Sequence, residues 1–344
     1  MKIEIITSNH NQINENDFGS QLVCEDVEKA IKAMGYTVRI SQCNTHHDLQ
    51  SVVQRRPDLV VLTAKSILIE SNEIFFAQYF ADHHIIFTGS DKQALNFDTD
   101  KALAKQHLAK LGINTAHFFT ALPNQFSNET QLPFGFPLFV KPLGEADGKG
   151  IDHQSVVKNF AEYQFKVSAL YEKFKQPILV EEFLNGREFT VSVIKDDLGK
   201  MILSAIELIP QITEGSVRIL GDSSMIYNTE LKKISDEKEI HGIKALAASS
   251  FEGLGACGFG RIDIKMDASG KCYFMEANLI PGMNRHTSFF PRACLMDNDL
   301  SYEDVIKHMI SETICRARTH KNLNNLFDSL KEGINIHDDK LSPN

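Results

Sequence analysis

The six cysteines, Cys24, Cys43, Cys257, Cys272, Cys294 and Cys315, are scattered, with no C-x-x-C spacing among them. They read as buried or idle thiols of a reducing cytosol, not as metal ligands or a disulfide framework. His46-His47 and His83-His84 lack companions at zinc spacing. No apolar run is long enough to span a bilayer, and the opening MKIEIITSNH lacks the apolar stretch of a signal peptide. The expectation is a cytoplasmic protein without a membrane partner. Basic excess is missing too. Lys and Arg number 36 against 45 Asp and Glu, a net charge of -9, which argues against a nucleic-acid groove. No G-x-G-x-x-G follows the first apolar strand, so a dinucleotide site there is unsupported. No internal repeat is visible.

What remains is an ordinary globular composition over 344 residues, too long for one core, so two or three domains are expected. Residues 1–95 alternate strand and helix: Lys2–Ile6, a helix Gln21–Met34 stopped by Gly35, Tyr36–Ile40, Leu59–Leu62, a helix Ile74–Phe80, and Ile85–Thr88. That order predicts an α/β unit with a parallel sheet. The pattern then changes, and residues 96–176, 177–320 and a polar tail 321–344 form the remaining units.

The most informative stretch is FGRIDIKMDASGKCYFMEANLIPGM, 259–283. Its first arm alternates Arg261, Asp263 and Lys265 against Ile262, Ile264 and Met266. Its second alternates Phe274, Glu276 and Asn278 against Tyr273, Met275 and Ala277. With a loop at Ala268-Ser269-Gly270-Lys271, pairing Asp267 with Cys272 sets Asp263 opposite Glu276 and Arg261 opposite Asn278. Carboxylates facing across about 5 Å repel, so they call for a proton or a cation between them. Two acids and an amide are hard oxygen donors suited to Mg²⁺. In isolation such a pattern is a solvated face of mixed charge; the rest of the chain changes that balance.

A helix is expected from Thr99 to Leu111, capped by Asp98 and Asp100, with Lys101 in its first turn. A cation is unfavourable there unless it serves an anion. The strand LFVK ends at Lys141 and runs into LGEADGKGI, where Gly144, Gly148 and Gly150 allow backbone N–H groups to approach a ligand. Lys149 favours a phosphate cover there, whereas Glu145 and Asp147 oppose one. Further on, ILVE (178–181), a turn at Asn185-Gly186, the strand Glu188–Ile194 and its neighbour Ile202–Leu208 bring Glu181 and Glu188 close together. Residues 209–237 read as a long mobile segment. Helices at Glu239–Leu254 and Tyr302–Ala317 complete the pattern.

Taken in order, the strand lysine, the glycine flap, ILVEEFLNGREFTV and FGRIDIK…FMEANLIPGM resemble the ATP-grasp fold. TGSDKQALNFDTDK at 88–101 and the PGM turn resemble its D-alanine–D-alanine ligase branch. The likeness covers roughly 86–315, and 1–85 only in its strand–helix pattern. It implies an α/β fold, α+β in the ATP-binding part, behind an N-terminal parallel-sheet domain. It also implies ATP and one or two Mg²⁺, with Mn²⁺ as a substitute. By position it implies phosphate contacts from Lys101, Lys141 and Lys149. The adenine edge would lie along Glu181, Glu182, Phe183 and Leu184, and the ribose at Glu188. The metal would sit on Asp263, Glu276 and Asn278, and Arg261 and Lys141 would be catalytic. The implied reaction joins an amino-acid carboxylate to an amine through an acyl phosphate, releasing ADP and phosphate. The flap at 143–150 and the 209–237 segment would shield that intermediate from water. Small amino acids or similar molecules would be the substrates, and a homodimer is compatible with the branch.

Several positions depart from the branch. The flap reads Glu145-Ala146-Asp147-Gly148 where adjacent serines follow Glu-Gly in the family. The surroundings of Glu15 do not match its ammonium-binding signature, and Tyr227 is only a candidate for its loop tyrosine. Asn284-Arg285-His286-Thr287-Ser288 replaces small hydroxyl residues after the PGM turn. The nucleotide machinery is therefore retained while the amino-acid pockets differ. Pro281, Gly282, Arg285, Thr287 and Ser288 are the candidates for holding the second substrate. Two alternatives stay open: a kinase that phosphorylates a small substrate without amine coupling, and a non-catalytic nucleotide-binding protein.

Overall fold

The computed structural model describes residues 1–8, 18–145, 148–210 and 229–319. Glu15, Ala146, Asp147, Tyr227, most of 209–237 and the tail from 321 lie outside the described residues.

The chain opens with β1 (Lys2–Thr7), α1 (Gln21–Ala33), β2 (Thr37–Gln42), α2 (His46–Arg55) and β3 (Leu59–Leu62). The strands form a parallel sheet in the order β2-β1-β3. Strand β3 is wholly apolar and β1 is buried from Ile3 to Thr7, because both faces of the sheet are covered. Ser20 caps α1 by accepting from the Val23 N–H, and Thr45 with Asp48 forms a capping box on α2. The expected strand at 85–88 shrinks to a single parallel bridge between Val60 and Phe87.

A hairpin that the sequence pattern does not announce follows, β4 (Ser66–Ile69) and β5 (Asn72–Phe75). Glu70 and Ser71 both take positive φ, 49° and 69°, the conformation of a two-residue hairpin turn usually marked by Asn or Gly. The helix expected over 74–80 therefore starts later, as α3 (Phe76–Asp82). Next come α4 (Lys92–Thr99), absent from the sequence reading, and α5 (Lys101–Lys110). They are separated by the extended Asp100, whose carboxylate caps α5 by accepting from the Leu103 N–H at 2.9 Å.

A four-stranded antiparallel sheet follows, built from β6 (Phe118–Ala121), β7 (Leu138–Pro142), β8 (Val156–Val157) and β9 (Ile178–Glu182) in the order β6-β9-β7-β8. Helix α6 (Phe160–Phe174) packs Tyr163, Val167 and Leu170 against Leu138, Val140, Ile178 and Val180. The larger antiparallel sheet comprises β10 (Glu188–Lys195), β11 (Met201–Ile209), β12 (Glu230–Lys233), β13 (Phe259–Met266) and β14 (Cys272–Asn278), in the order β12-β11-β10-β13-β14. The two sheets join through Asn185-Gly186. The Gly186 N–H donates to the Met266 carbonyl at 3.0 Å, and a Cβ on Gly186 would lie 2.5 Å from that oxygen. Only glycine permits this approach.

Alternation on β10 divides the large sheet by face. Phe189, Val191 and Val193 join Ile262 and Ile264 in a core with Ile243, Ala247 and Phe251 of α7 (Glu237–Gly253). The opposite face carries Glu188, Thr190 and Ser192, in register with Lys265, Asp263 and Arg261. One part of this polar face is roofed by α8 (Phe289–Asn298), where Phe289 and Ala293 pack on Ile206 and Leu208. Residues 302–319 form the helix α9, whose Tyr302, Val305, Ile306 and Met309 share a core with β1, α1, Phe259 and Phe290. That core ties the N-terminal sheet to the large one.

Candidate active site

The hairpin of β13 and β14 brings Arg261 opposite Asn278 and Asp263 opposite Glu276, the pairs expected from alternation. The route to that register differs from the expected one. Met266, not Asp267, pairs with Cys272, and the register shifts by one residue between Asp263 and Ile264. This β-bulge restores the pairing beyond it. It also turns Phe274 to the core face, fully buried beside Ile264, whereas strict alternation put it with Glu276. Asp267 instead organises the turn, accepting from the Ser269 and Lys271 N–H groups at 2.8 and 3.0 Å.

Asp263 is the hub of the polar face. Its carboxylate accepts from Thr190 Oγ1 at 2.6 Å, from Arg261 Nε and Nη2 at 3.0 and 2.9 Å, and from Asn278 Nδ2 at 3.1 Å. The Arg261 guanidinium also lies 5.7 Å from the centre of the Phe289 ring, a cation–π contact. Glu276 faces Lys101, with 3.5 Å between Oε2 and Nζ. Burial alone would raise the Glu276 carboxyl, but Lys101, Lys141 and Arg261 outweigh it and hold it below the usual carboxylate range. Glu276 therefore stays ionised at neutral pH. Among the described residues no three His, Cys, Asp or Glu side chains cluster as a metal site. The candidate set is two carboxylates and an amide on adjacent strands. Such a set fits a hard divalent cation that takes its remaining ligands from water or phosphate oxygens.

The lysines converge from the smaller sheet and from α5. Lys101 is buried and donates to the Glu145 carbonyl at 2.5 Å, anchoring the start of the glycine loop. Lys149 is half-buried in the turn that Gly148 and Ile151 close. Lys141, at the end of β7, lies 2.8 Å from Glu181 Oε2, and Lys105 of α5 lies 2.6 Å from Glu181 Oε1. Glu181 and Lys105 are fully buried. Burial would raise the Glu181 carboxyl, but the two lysines pull it down to about 2. The sequence reading places Glu181 at the adenine edge; in the structure both of its oxygens face lysines inside the protein.

Glu182 and Phe183 are also engaged by backbone. The Glu182 N–H donates to the His117 carbonyl at 3.0 Å, and the Phe183 N–H to the Pro137 carbonyl at 3.2 Å. Leu184 is buried. Glu188 is held in an ion pair by Lys265, whose ammonium also lies 5.9 Å from the centre of the Phe183 ring. Sequence reasoning passed over Lys105, Lys265 and Thr190 as site residues. Lys105 stands one helical turn after Lys101, and Lys265 and Thr190 fall on the same alternating face as Asp263. Those spacings were the available signals.

The turn after the hairpin behaves differently. Pro281 is buried and Gly282 half-buried. Arg285 pairs with Asp26 of α1 and Glu303 of α9 at 3.5 and 3.1 Å and stacks 4.5 Å from the Tyr302 ring centre. The Thr287 N–H donates to Asn284 Oδ1 at 3.2 Å, and the Ser288 N–H to the Asn284 carbonyl at 3.0 Å. The sequence reading makes Arg285 and these residues candidate anchors for the second substrate; in the structure they pair with neighbouring residues of the fold.

Paired acids on one sheet face, opposed by lysines from a second antiparallel sheet and from α5, define a protein of the ATP-grasp class. Residues 107–311 match the family model described as D-ala D-ala ligase C-terminus, and the chain belongs to that family. It is similar to the D-alanine–D-alanine ligase of Alcanivorax borkumensis, 28% identical over 208 residues. That match takes in 59% of this chain and 61% of the relative, about three fifths of its length. The D-alanine–D-alanine ligase of Aquifex aeolicus is 26% identical across 83% of this chain and 92% of that protein. Among solved structures, the D-alanine–D-alanine ligase of Bacillus anthracis complexed with ATP superposes with a TM-score of 0.71 at 20% identity, covering 93% of this chain and 99% of that one. The VanG D-Ala:D-Ser ligase of Enterococcus faecalis gives 0.69 at 19%, covering 91% and 99%. These likenesses establish the fold.

Proposed function

We propose that the chain is an ATP-dependent carboxylate–amine ligase of the acid–amino-acid class, acting on small amino acids or similar molecules. One observation carries the reading: Asp263, Glu276, Asn278 and Arg261 share one sheet face in register, with Lys101 and Lys141 brought against it from elsewhere.

Asp263, Glu276 and Asn278 would hold Mg²⁺, which when bound neutralises charge between a carboxylate substrate and the triphosphate. Lys101 and Lys141 add fixed positive charge for the phosphates. A substrate carboxylate oxygen attacks the γ-phosphorus and ADP leaves, giving an acyl phosphate. The amine nitrogen of the second substrate then attacks the acyl carbon, loses a proton, and phosphate departs. Arg261 is the fixed cation for the oxygen that becomes negative at that carbon. The Asp263 carboxylate and the Phe289 ring hold its guanidinium in place.

D-alanine pairs are the first substrates to try, because the curated relatives are named for them. The turn at 284–288 is built on this chain's own residues, so other amino acids belong in the same screen. The test is phosphate release from ATP and Mg²⁺ over pairs of amino acids, with mass spectrometry of the product. The expected result is release that requires both partners and yields a coupled product. Release with one substrate and a phosphorylated product would favour the kinase alternative. No turnover with any pair, despite nucleotide binding, would favour the non-catalytic one.

A further inference from the structure

Lys105 sits too deep in the charged assembly to reach a ligand. It is fully buried on α5, yet its ammonium spans two sheets. It lies 2.6 Å from Glu181 Oε1 on β9, and it donates to the Phe274 carbonyl of β14 at 3.1 Å, beside the bulge that precedes Glu276. Glu181 is fully buried too, and Lys141 nearly so. Burying such a group is expensive, and replacing a buried ion cluster by apolar side chains is often neutral or stabilising. Fold stability is therefore a poor explanation for Lys105.

Charge counting supplies a better one. Glu181 contributes one negative charge, while Lys105 and Lys141 contribute one positive charge each, so the triad carries a net single positive charge. With Lys141 and Glu181 alone, the pair would be neutral and the field of Lys141 would be cancelled inside the protein. In the triad Lys105 takes one Glu181 oxygen and Lys141 the other, so the charge of Lys141 is not cancelled inside the protein. We infer that Lys105 is a positioning residue whose charge balances Glu181, leaving the charge of Lys141 available to the nucleotide phosphates. The inference rests on the ligase reading and deepens it by naming what keeps the phosphate-binding lysine active.

The test compares wild type, Lys105→Met and the double variant Lys105→Met with Glu181→Gln. Calorimetry measures binding of a non-hydrolysable ATP analogue with Mg²⁺, and kinetics measure KM for ATP and for amino acids separately. Lys105→Met is expected to weaken analogue binding and raise KM for ATP by about tenfold to a hundredfold, with KM for amino acids unchanged. Removing the Glu181 charge as well should return binding to within about tenfold of wild type. A purely structural lysine would lower the melting temperature, leave nucleotide affinity of the folded protein unchanged, and gain nothing from the second substitution; that pattern overturns the inference. If Lys105→Met does not fold, the double variant decides, because it keeps the net single positive charge of the wild-type triad. A loss beyond about tenfold in that variant overturns the inference. Wild type that binds no nucleotide overturns the ligase reading itself, whereas tight wild-type binding with an equally tight Lys105→Met variant overturns only the role of Lys105.

Discussion

The polar face of the hairpin and the turn that follows it adjoin in sequence, and both are rich in candidate ligand groups, yet they end differently. On the hairpin, strand geometry decides where each side chain goes. Arg261, Asp263, Glu276 and Asn278 must share a face once β13 and β14 pair. In the turn, the groups satisfy one another. Asn284 takes the N–H groups of His286, Thr287 and Ser288, and Arg285 reaches back to α1 and α9. A regular element can aim several groups outward because its backbone bonds are made by its neighbours. A turn has no such partner, so its polar groups are drawn into its own closure.

The largest expected effect falls on the hairpin face. Replacing Arg261 by Ala removes the cation that Asp263 and Phe289 hold in position. Turnover with saturating substrates should fall by about 10²–10³-fold, the usual cost of one oxyanion-stabilising group. Binding of an ATP analogue should change far less, because Lys101 and Lys141 remain. Unchanged turnover in a folded variant would remove the distinction between the face and the turn.

How much of this was legible in the sequence follows the same division. Period-two alternation placed the four face residues correctly, even though its assumed anchor at Asp267 was one residue out and the bulge made up the difference. The bulge had no signature, since its cause is tertiary: the Phe274 N–H bonds to Asn114, and its carbonyl to Lys105. The β4–β5 hairpin escaped because Glu70 and Ser71 adopt positive φ without glycine or asparagine. Lys105 escaped because KALAKQHLAK has the look of a solvent-facing helix. Only the packing of α5 against two sheets shows that the lysine points inward. Charges set by local periodicity can be read; charges buried by contact between distant elements cannot.

The buried triad sharpens the comparison through pH. The Glu181 carboxyl is lowered from 4.5 to about 2. A carboxyl whose folded value lies below its unfolded one stabilises the fold above about pH 4.5, and that contribution fades as pH falls toward 2. The shift corresponds to about 3 kcal/mol at neutral pH, and the burial cost of Lys105, whose own value is pushed down, offsets part of it. Thermal unfolding between pH 5 and 2 should show a steep loss of stability that a Glu181→Gln protein lacks. Parallel curves for the two proteins would mean that Glu181 contributes nothing to the acid limb.

The smallest effect is expected in the turn. Arg285→Ala breaks two partly exposed ion pairs, to Asp26 and Glu303, and one stacking contact with Tyr302. Exposed pairs of this kind contribute up to about 1 kcal/mol, so the melting temperature should drop only slightly. KM for the second amino acid should stay within about twofold of wild type, because the guanidinium is committed to helices α1 and α9 and not to a substrate carboxylate. The informative contrast is with Arg261, less exposed than Arg285, whose partner Asp263 belongs to the polar hairpin face. A tenfold or larger rise in KM for the amine substrate of Arg285→Ala, with stability preserved, would show that this side chain leaves its ion pairs to meet the substrate. The turn would then belong to the binding site, and local closure would not be what separates it from the face.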